Sequence, residues 1–482
     1  MSVSISGRAP ESRILEKLLH SKEAQLIAVY GRRRIGKTHL IREFYRNKGV
    51  YIQFTGVQDA HENEQLANFH DELSSIFNSL ANKRAPENWR EAFKRLVDSI
   101  KPIVKNQRII LFFDEVPWLA KRTQFLKALE YSWNQHLATM PNIIVVLCGS
   151  IASWMIKYII QNKGGLHGRL TAKLHLHPFT LSQTEQFLSD RGINLAREQV
   201  AELYMALGGV AQYLKAVPIG VSPAQAIQEL CFSPQGLLFR EFFPLYRSLF
   251  EHSEKHVEVI MQLAKHRFGL TLTEILEETN MSSGGTSTRI LRELEESGII
   301  LQIPDVGKKK RGGKYRLMDE YSLFYLQWIK EIGNPILSGI DNNYWHLQQQ
   351  SQRYAVWAGY AFENLCLRHI QKIKQALGLG AVNTKEGGWQ GSSEPEGKAE
   401  IDLVIERADR CINLCEMKFR MERLHIDKKL AEQLERKRRI FKGATQTKKT
   451  LFTTLISPYG AGELGPYHHA VDQQITLDDL FL

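Results

Sequence analysis

The sequence predicts an α/β protein assembled from several successive domains, and two observations carry that prediction. Over the first 165 residues, short apolar runs alternate with helical stretches: QLIAVY (25–30), GVYIQF (49–54), RIILFF (108–113) and NIIVVLC (142–148). Strands separated by helices indicate βαβ units and a parallel sheet, whose strands are apolar on both faces. The second observation is size. The chain has 482 residues, 43% hydrophobic and 24% charged, enough for two to four cores at roughly 100–200 residues per domain. The expected divisions are 1–175, a helical segment 176–250, a third region 251–335, and a last one 345–482.

Composition removes several classes. The longest apolar runs are strand-length, whereas a membrane-spanning helix needs about 20 residues. The opening MSVSISGRAPESR lacks the apolar stretch of a secretory signal. Five cysteines (148, 231, 366, 411, 415) are too few for a disulfide framework, and no CxxC pair suggests zinc. A reducing cytoplasm is the expected location. Lys and Arg total 63 against 52 Asp and Glu, a net charge of +11, which favours an anionic partner.

Residues 181–250 look helical and open on the capping-box spacing Ser182-x-x-Glu185. Residues 253–330 read as three helices and a hairpin. A long helix begins near 345. The Gly/Ser/Glu-rich stretch 382–398 is expected to be a loop inside the last domain. Two strands, a basic helix (425–442) and a further strand (450–457) follow.

GRRRIGKT (31–38) satisfies GxxxxGK[ST], directly after the strand 25–30 and at the head of a helix. Gly31 and Gly36 let the loop curl, and its backbone N–H groups with the helix N-terminus bind phosphate. The expected nucleotide contacts are Gly31, Arg32, Arg33, Arg34, Ile35, Gly36, Lys37, Thr38 and His39. Lys37 reaches the β- and γ-phosphates, and the Thr38 hydroxyl is a Mg²⁺ ligand. RIILFFDEVPWL (108–119) ends an apolar strand on Asp114-Glu115, where α/β ligands bind. Asp114 is expected to hold Mg²⁺, and Glu115 to act as general base on the attacking water. Ser150 either senses the γ-phosphate or caps the next helix. Arg169 is either an arginine that reaches the γ-phosphate or an ordinary surface residue.

These residues, with GRAPESRILEKL (7–18), GRL before LHPF, and GGVAQYL (208–214), resemble the archaeal-type P-loop ATPases related to AAA+ and STAND proteins. The resemblance implies a P-loop sheet with a helical lid, binding and hydrolysis of ATP with Mg²⁺, and Gly7-Arg8 packed near the adenine. It also implies a switch-like role. Ala211 stands where that group carries a proline.

Helix–helix–helix–hairpin over 254–319 is the winged helix-turn-helix order. Its third helix offers Thr286, Ser287, Arg289 and Arg292 to a major groove, and its hairpin tip offers Lys308, Lys309, Lys310, Arg311 and Lys314 to phosphates. DNA contact and packing against another protein surface both fit this order. Tyr321, Phe324, Tyr325 and Trp328, at helical spacing, read as core.

AEIDLVIERADRCINLCEMKFR (399–420) reads as a hairpin. If Glu406 pairs with Ile412, Asp402 faces Glu416, and Lys418 shares the face of Glu416. Two acids can hold Mg²⁺ beside a lysine that stabilises developing charge, and Glu363 on the preceding helix supplies a third oxygen. This pattern resembles the PD-(D/E)XK nucleases, with Ile401 in place of the usual proline. The resemblance implies an α/β nuclease-like domain with Glu363, Asp402, Glu416 and Lys418 as catalytic residues, Asp402 and Glu416 as metal ligands, and Gln433 on the next helix pointing to the site. An inactive relative and an ordinary salt-bridged hairpin remain open. Between 420 and 449 eleven cations face four acids, which suits a polyanion. Together these readings predict an ATPase that couples nucleotide state to DNA binding or processing, with cleavage by the last domain. The alternative is a non-cutting, ATP-dependent switch. Assembly into a homo-oligomer is left open.

Overall fold

The structure is a computed structural model describing residues 5–161, 163–306, 313–333, 343–462 and 465–482. The chain divides into two compact units, Met1–Pro178 with Ser248–Glu251, and Phe179–Arg247 with His252–Leu482. Each has its own five-stranded sheet.

In the first unit, β1 (Gln25–Tyr30), β2 (Val50–Thr55), β3 (Ile109–Asp114), β4 (Ile143–Gly149) and β5 (Ala172–His175) lie in the order β2-β3-β4-β1-β5. Every pairing is parallel. The four apolar runs of the sequence are all strands. The fifth, β5, is an edge strand of mixed polarity, Ala-Lys-Leu-His, and carries no apolar run to mark it. Successive residues of β1, β3 and β4 alternate between two cores. Leu26, Leu111, Phe113 and Val145 join one; Ile27, Ile110, Phe112 and Val146 join the other. The first core is rich in rings. Phe54 stacks on Phe69 with centroids 4.2 Å apart, and Trp89 meets Phe125 edge-on at 4.9 Å. Such a double-faced core fixes the sheet and lines up the carboxyl ends of β1, β3 and β4 along one edge.

The second unit opens with helices Leu181–Ser189, Arg197–Leu207, Ala211–Lys215 and Pro223–Phe232. The first is capped two residues earlier than the sequence suggested. Thr180 Oγ1 accepts the Gln183 N–H, and Gln183 Oε1 accepts the Thr180 N–H at 2.9 Å. Thr180-x-x-Gln183 satisfies the same capping-box rule as Ser182-x-x-Glu185, and Thr180 has the extended backbone an N-cap needs.

Helices Glu254–Leu263, Leu272–Glu278 and Gly285–Glu296 follow, then the antiparallel pair β6 (Ile300–Ile303) and β7 (Lys314–Leu317). The third helix buries Ile290, Leu291 and Leu294. Ser287 is also buried and its hydroxyl donates to the Gly284 carbonyl at 3.0 Å, so it is not offered to a partner. Thr286, Arg289 and Arg292 are exposed. Lys308, Lys309, Lys310 and Arg311 lie outside the described residues. Lys314 donates to Gln390 at 2.7 Å, so this cation is engaged inside the unit. Tyr321, Phe324, Tyr325 and Trp328 are core: all four are buried, and Phe324 and Trp328 meet Trp345 edge-on.

The second sheet contains β8 (Thr384–Ser393), β9 (Gly397–Arg407), β10 (Cys411–Met417), β11 (Thr450–Ile456) and β12 (Gln473–Ile475), in the order β12-β11-β10-β9-β8. β8, β9 and β10 pair antiparallel; β10, β11 and β12 pair parallel. Helix Gln352–Arg368 precedes the sheet, and helix Lys428–Thr445 connects β10 to β11. The expected loop at 382–398 instead contains all of β8 and the turn into β9. Its Gly/Ser composition hides one anchor, Trp389, which is buried against Ile401, Val404 and Phe441. Among the described residues, no helix is long and apolar enough to cross a membrane.

Candidate functional site

The loop between β1 and helix Lys37–Tyr45 is shaped by backbone conformations that few side chains tolerate. Gly31 has φ +145°, and Gly36, at the head of the helix, has φ +91°. A Cβ on Gly31 would lie 2.2 Å from the Leu176 carbonyl oxygen, so the position demands glycine for space as well as for φ. Arg34 also takes a positive φ, +72°. The Arg8 guanidinium is buried and donates to the Ile35 carbonyl at 2.8 Å, tying the N-terminal helix to the loop.

Lys37 is 6% exposed and donates to the carbonyls of Gly31 at 3.0 Å and Arg32 at 2.8 Å. Among the described residues it forms no ion pair. Burial lowers the ammonium's pKa, although Asp114 and Glu115 lie near enough to oppose that shift. A buried cation satisfied by neutral carbonyls is electrostatically suited to a polyanion. Arg32 and Ile35 are buried, Arg33 and Arg34 half-buried, and His39 exposed. Arg33 lies 6.0 Å from the centre of the Trp118 ring.

The two halves of the motif meet. Asp114 ends β3, whose neighbour β4 pairs with β1, so all three carboxyl ends share one edge. The Thr38 hydroxyl donates to Asp114 Oδ2 at 2.8 Å, joining residues 76 apart in sequence. Glu115 has φ +50°, uncommon for a residue with a Cβ. Its carboxylate accepts the Ser150 N–H at 3.1 Å and the Ser150 hydroxyl at 2.8 Å. Burial raises the Glu115 pKa above the ordinary carboxylate value; Lys37 and Ser150 pull against it. Of the two sequence readings of Ser150, neither describes this arrangement: the side chain holds the second acid.

Arg169 is placed elsewhere. The Thr171 N–H donates to the Leu26 carbonyl at 2.8 Å, so the segment enters β5 at the amino ends of the strands. Arg169 is exposed and lines a cavity there with Lys22, Trp133 and Pro141. The phosphate loop lies at the other end, on the order of 15–20 Å away at 3.3 Å per strand residue. The γ-phosphate expectation for Arg169 within its own chain is therefore corrected. The sequence did not reveal β5, and so did not show which edge Arg169 would occupy.

The second unit brings together another set. Glu406 pairs with Ile412 and Leu403 with Cys415, so the register continues to Asp402 opposite Glu416. Asp402, Glu416, Lys418 and Gln433 line one cavity of about 400 Å³. Lys437, one helical turn beyond Gln433, enters it too. Its ammonium meets Glu416 Oε2 at 2.6 Å, while Lys418 meets Oε1 at 2.8 Å. Asp402 Oδ2 accepts the Met417 N–H at 2.9 Å. Burial and the nearby Glu416 carboxylate raise the Asp402 pKa. Burial would raise Glu416 as well, but Lys437 and Lys418 together hold it below the usual value.

Glu363, the expected third oxygen, is already matched by two cations. It is 1% exposed. Arg316 reaches Glu363 Oε2 at 3.1 Å, and Arg267 forms an ion pair with the same carboxylate. Arg316 also donates to Asn364 Oδ1 at 2.6 Å and lies 4.7 Å from the Tyr360 ring centre. Among the described residues, no three His, Cys, Asp or Glu side chains converge as a metal cage. The basic segment is also less free than its composition suggests: Arg438 pairs with Asp472 and Arg439 with Glu396 on the helix, and Lys449 beyond it with Glu406.

Sequence reasoning reached Lys37, Thr38, Asp114, Glu115, Asp402, Glu416 and Lys418. It missed Lys437, whose signal was the i+4 spacing from Gln433. It also missed Arg267 and Arg316, which arrive from distant sequence with no local signal.

Comparison with known proteins finds relatives of the first unit. Residues 6–217 match the family described as an ATPase domain predominantly from Archaea. An uncharacterized protein of Methanocaldococcus jannaschii is 25% identical over 439 residues, 90% of this chain and 91% of its own length. An uncharacterized ATP-binding protein of the same organism is 44% identical over 48 residues, 10% of this chain and 81% of its own. A Walker-type ATPase of Pyrococcus abyssi superposes with a TM-score of 0.50 at 18% identity, covering 67% of this chain and 96% of that one; this is a likeness of fold. Residues 6–217 are thus similar to an archaeal ATPase-domain family, and the chain shares the fold of a Walker-type ATPase.

Proposed function

We propose that the chain binds and hydrolyses ATP at Gly31–Thr38, Asp114 and Glu115, and that this nucleotide state governs DNA binding or processing by the second unit. The observation that carries the proposal is the buried Lys37, held by two loop carbonyls, beside the joined Thr38–Asp114 pair. A hydroxyl and a carboxylate oxygen 2.8 Å apart are the hard oxygen donors that suit Mg²⁺, so Thr38 and Asp114 are the residues that would hold it. Bound there, Mg²⁺ would supply charge neutralisation to the phosphates. Lys37 exchanges its two loop carbonyls for phosphate oxygens. Glu115 takes a proton from the attacking water once Ser150 releases it, and its raised pKa brings it closer to working pH.

The test is direct. Lys37→Ala is expected to abolish ATP binding. Glu115→Gln is expected to keep binding and to slow hydrolysis about 10²- to 10⁴-fold. Normal turnover by either variant contradicts the assignment.

Two observations support the DNA half. One is the three-helix-and-hairpin order with Thr286, Arg289 and Arg292 exposed, a winged-helix arrangement. The other is a nuclease-like order: a helix bearing Glu363, then β8, β9 and β10 with Asp402 and Glu416, then a helix bringing Gln433 and Lys437 to the same cavity. Asp402 and Glu416 fit a divalent cation as two oxygen donors on one cavity wall. The experiment is incubation with single- and double-stranded DNA, ATP and Mg²⁺ or Mn²⁺. Glu416→Gln is expected to stop cutting and leave ATP hydrolysis unchanged. A non-cutting switch is favoured by a specific observation: Glu363 and Glu416 each already meet two cations. Binding to DNA without cleavage under any of these conditions would select that reading.

A further inference from the structure

The cations that meet the acids of the second site differ in kind. Arg316 is 3% exposed and held on three sides: by Glu363, by Asn364 and by the Tyr360 ring. Lys418 and Lys437 both pair with Glu416, one on each oxygen. Glu363 is thus matched by Arg316, and Glu416 by Lys418 and Lys437, without Arg267. Arg267 differs from these three. It comes from outside the sheet, from the turn joining helices Glu254–Leu263 and Leu272–Glu278, and its side chain is 47% exposed.

Its position is specific nonetheless. The guanidinium pairs with the buried Glu363 and lies 3.9 Å from Asp402 Oδ1. The other Asp402 oxygen is taken by the Met417 N–H, so Oδ1 is the oxygen left to a cation in the cavity. Arg267 and Phe268 line that cavity together with Asp402 and Glu416. A guanidinium and a divalent ion at the same carboxylate repel each other, strongly so in a partly desolvated pocket.

We infer that Arg267 is a built-in competitor for the cation site of Asp402 and Glu416, holding it closed until its half-exposed side chain swings out of the cavity. This rests on the reading of Asp402 and Glu416 as a cation site. With Arg267 in place the acids are neutralised and the cavity admits a divalent ion poorly. With Arg267 withdrawn, Asp402 Oδ1 faces the cavity unpaired, and an ion can take the guanidinium's place. A half-exposed arginine contributes little to folding, so its removal leaves the unit intact, whereas removal of Arg316 does not. A polyanion that draws guanidinium groups toward itself would open the site as it arrives, which couples cation loading to substrate.

The test measures cation binding, not cleavage. Mn²⁺ is titrated calorimetrically into the full-length, nucleotide-free protein, with Tb³⁺ luminescence excited through Trp389 as a second readout, since that ring lines a pocket with Asp402. Arg267→Ala and Arg267→Gln are each expected to bind Mn²⁺ at least about tenfold tighter than the unsubstituted chain, as removal of one adjacent positive charge requires. Adding Asp402→Asn to either variant is expected to erase the gain. Equal affinity with and without Arg267, or a gain that survives Asp402→Asn, overturns the inference while the cation site stands. Absence of Mn²⁺ binding at that site in every variant overturns both.

Discussion

Lys37 and Glu115 show how burial sets chemistry one side chain at a time. Lys37 loses hydration and recovers two carbonyl contacts, so its charge is available to an incoming phosphate. Glu115 is half-buried, held by Ser150, and itself takes a positive φ; strain of this kind persists where the surroundings over-determine it. Gly31→Ala is expected to leave the unit folded but to lose ATP binding, read by circular dichroism and calorimetry, because the added Cβ meets the Leu176 carbonyl. His369 gives a residue-scale pH effect. Its Nε2 accepts the Leu181 N–H at 3.0 Å and its Nδ1 faces the Leu365 carbonyl at 2.8 Å, so it folds neutral, and burial lowers its pKa from 6.5 to about 4. The unfolded state therefore binds the extra proton between those values. Stability from this group is full above pH 6.5 and is lost as pH falls to 4, by about 3 kcal/mol. Denaturant midpoints of His369→Gln against the unsubstituted chain should converge across that window; parallel pH profiles would contradict the account.

Elements explain which parts of the molecule were legible in sequence. β1, β3 and β4 announce themselves because a strand covered on both faces must be apolar throughout, and their terminal residues then inherit a known edge. That made Lys37, Asp114 and Glu115 readable. β5 and β8 do not announce themselves. One is a half-polar edge, and the other carries a single large anchor, Trp389, among glycines and serines. Missing β5 put Arg169 at the wrong end of the sheet, and missing β8 turned a strand into a loop. Trp389→Ala is expected to cost about 3–5 kcal/mol, measured by chemical unfolding, since the ring packs on Phe441 at 5.0 Å. A cost within 0.5 kcal/mol would show that β8 is not anchored this way. The hairpin β9–β10 was legible to the register, because alternation and turn length fix which residues oppose each other.

At the scale of the whole chain, the sequence carries motifs but not the long-range pairs that decide their state. Arg267 and Arg316 approach Glu363 across 96 and 47 residues, a distance over which no spacing rule operates. They leave Glu363, expected as a third oxygen ligand, as a carboxylate already compensated twice. Arg316→Met is expected to destabilise the second unit by about 3–5 kcal/mol, because the buried Glu363 loses its deepest partner; its unfolding midpoint in denaturant measures this. Arg267→Ala, in the same assay, should change stability by less than about 1 kcal/mol.

The nucleotide site is the claim on which the rest depends, and titration of ATP with Mg²⁺ into the full chain by calorimetry tests it most directly. Saturable binding of one nucleotide per chain is expected, lost in Lys37→Ala with the fold retained. No heat of binding from the folded protein, or unchanged affinity in Lys37→Ala, would contradict it.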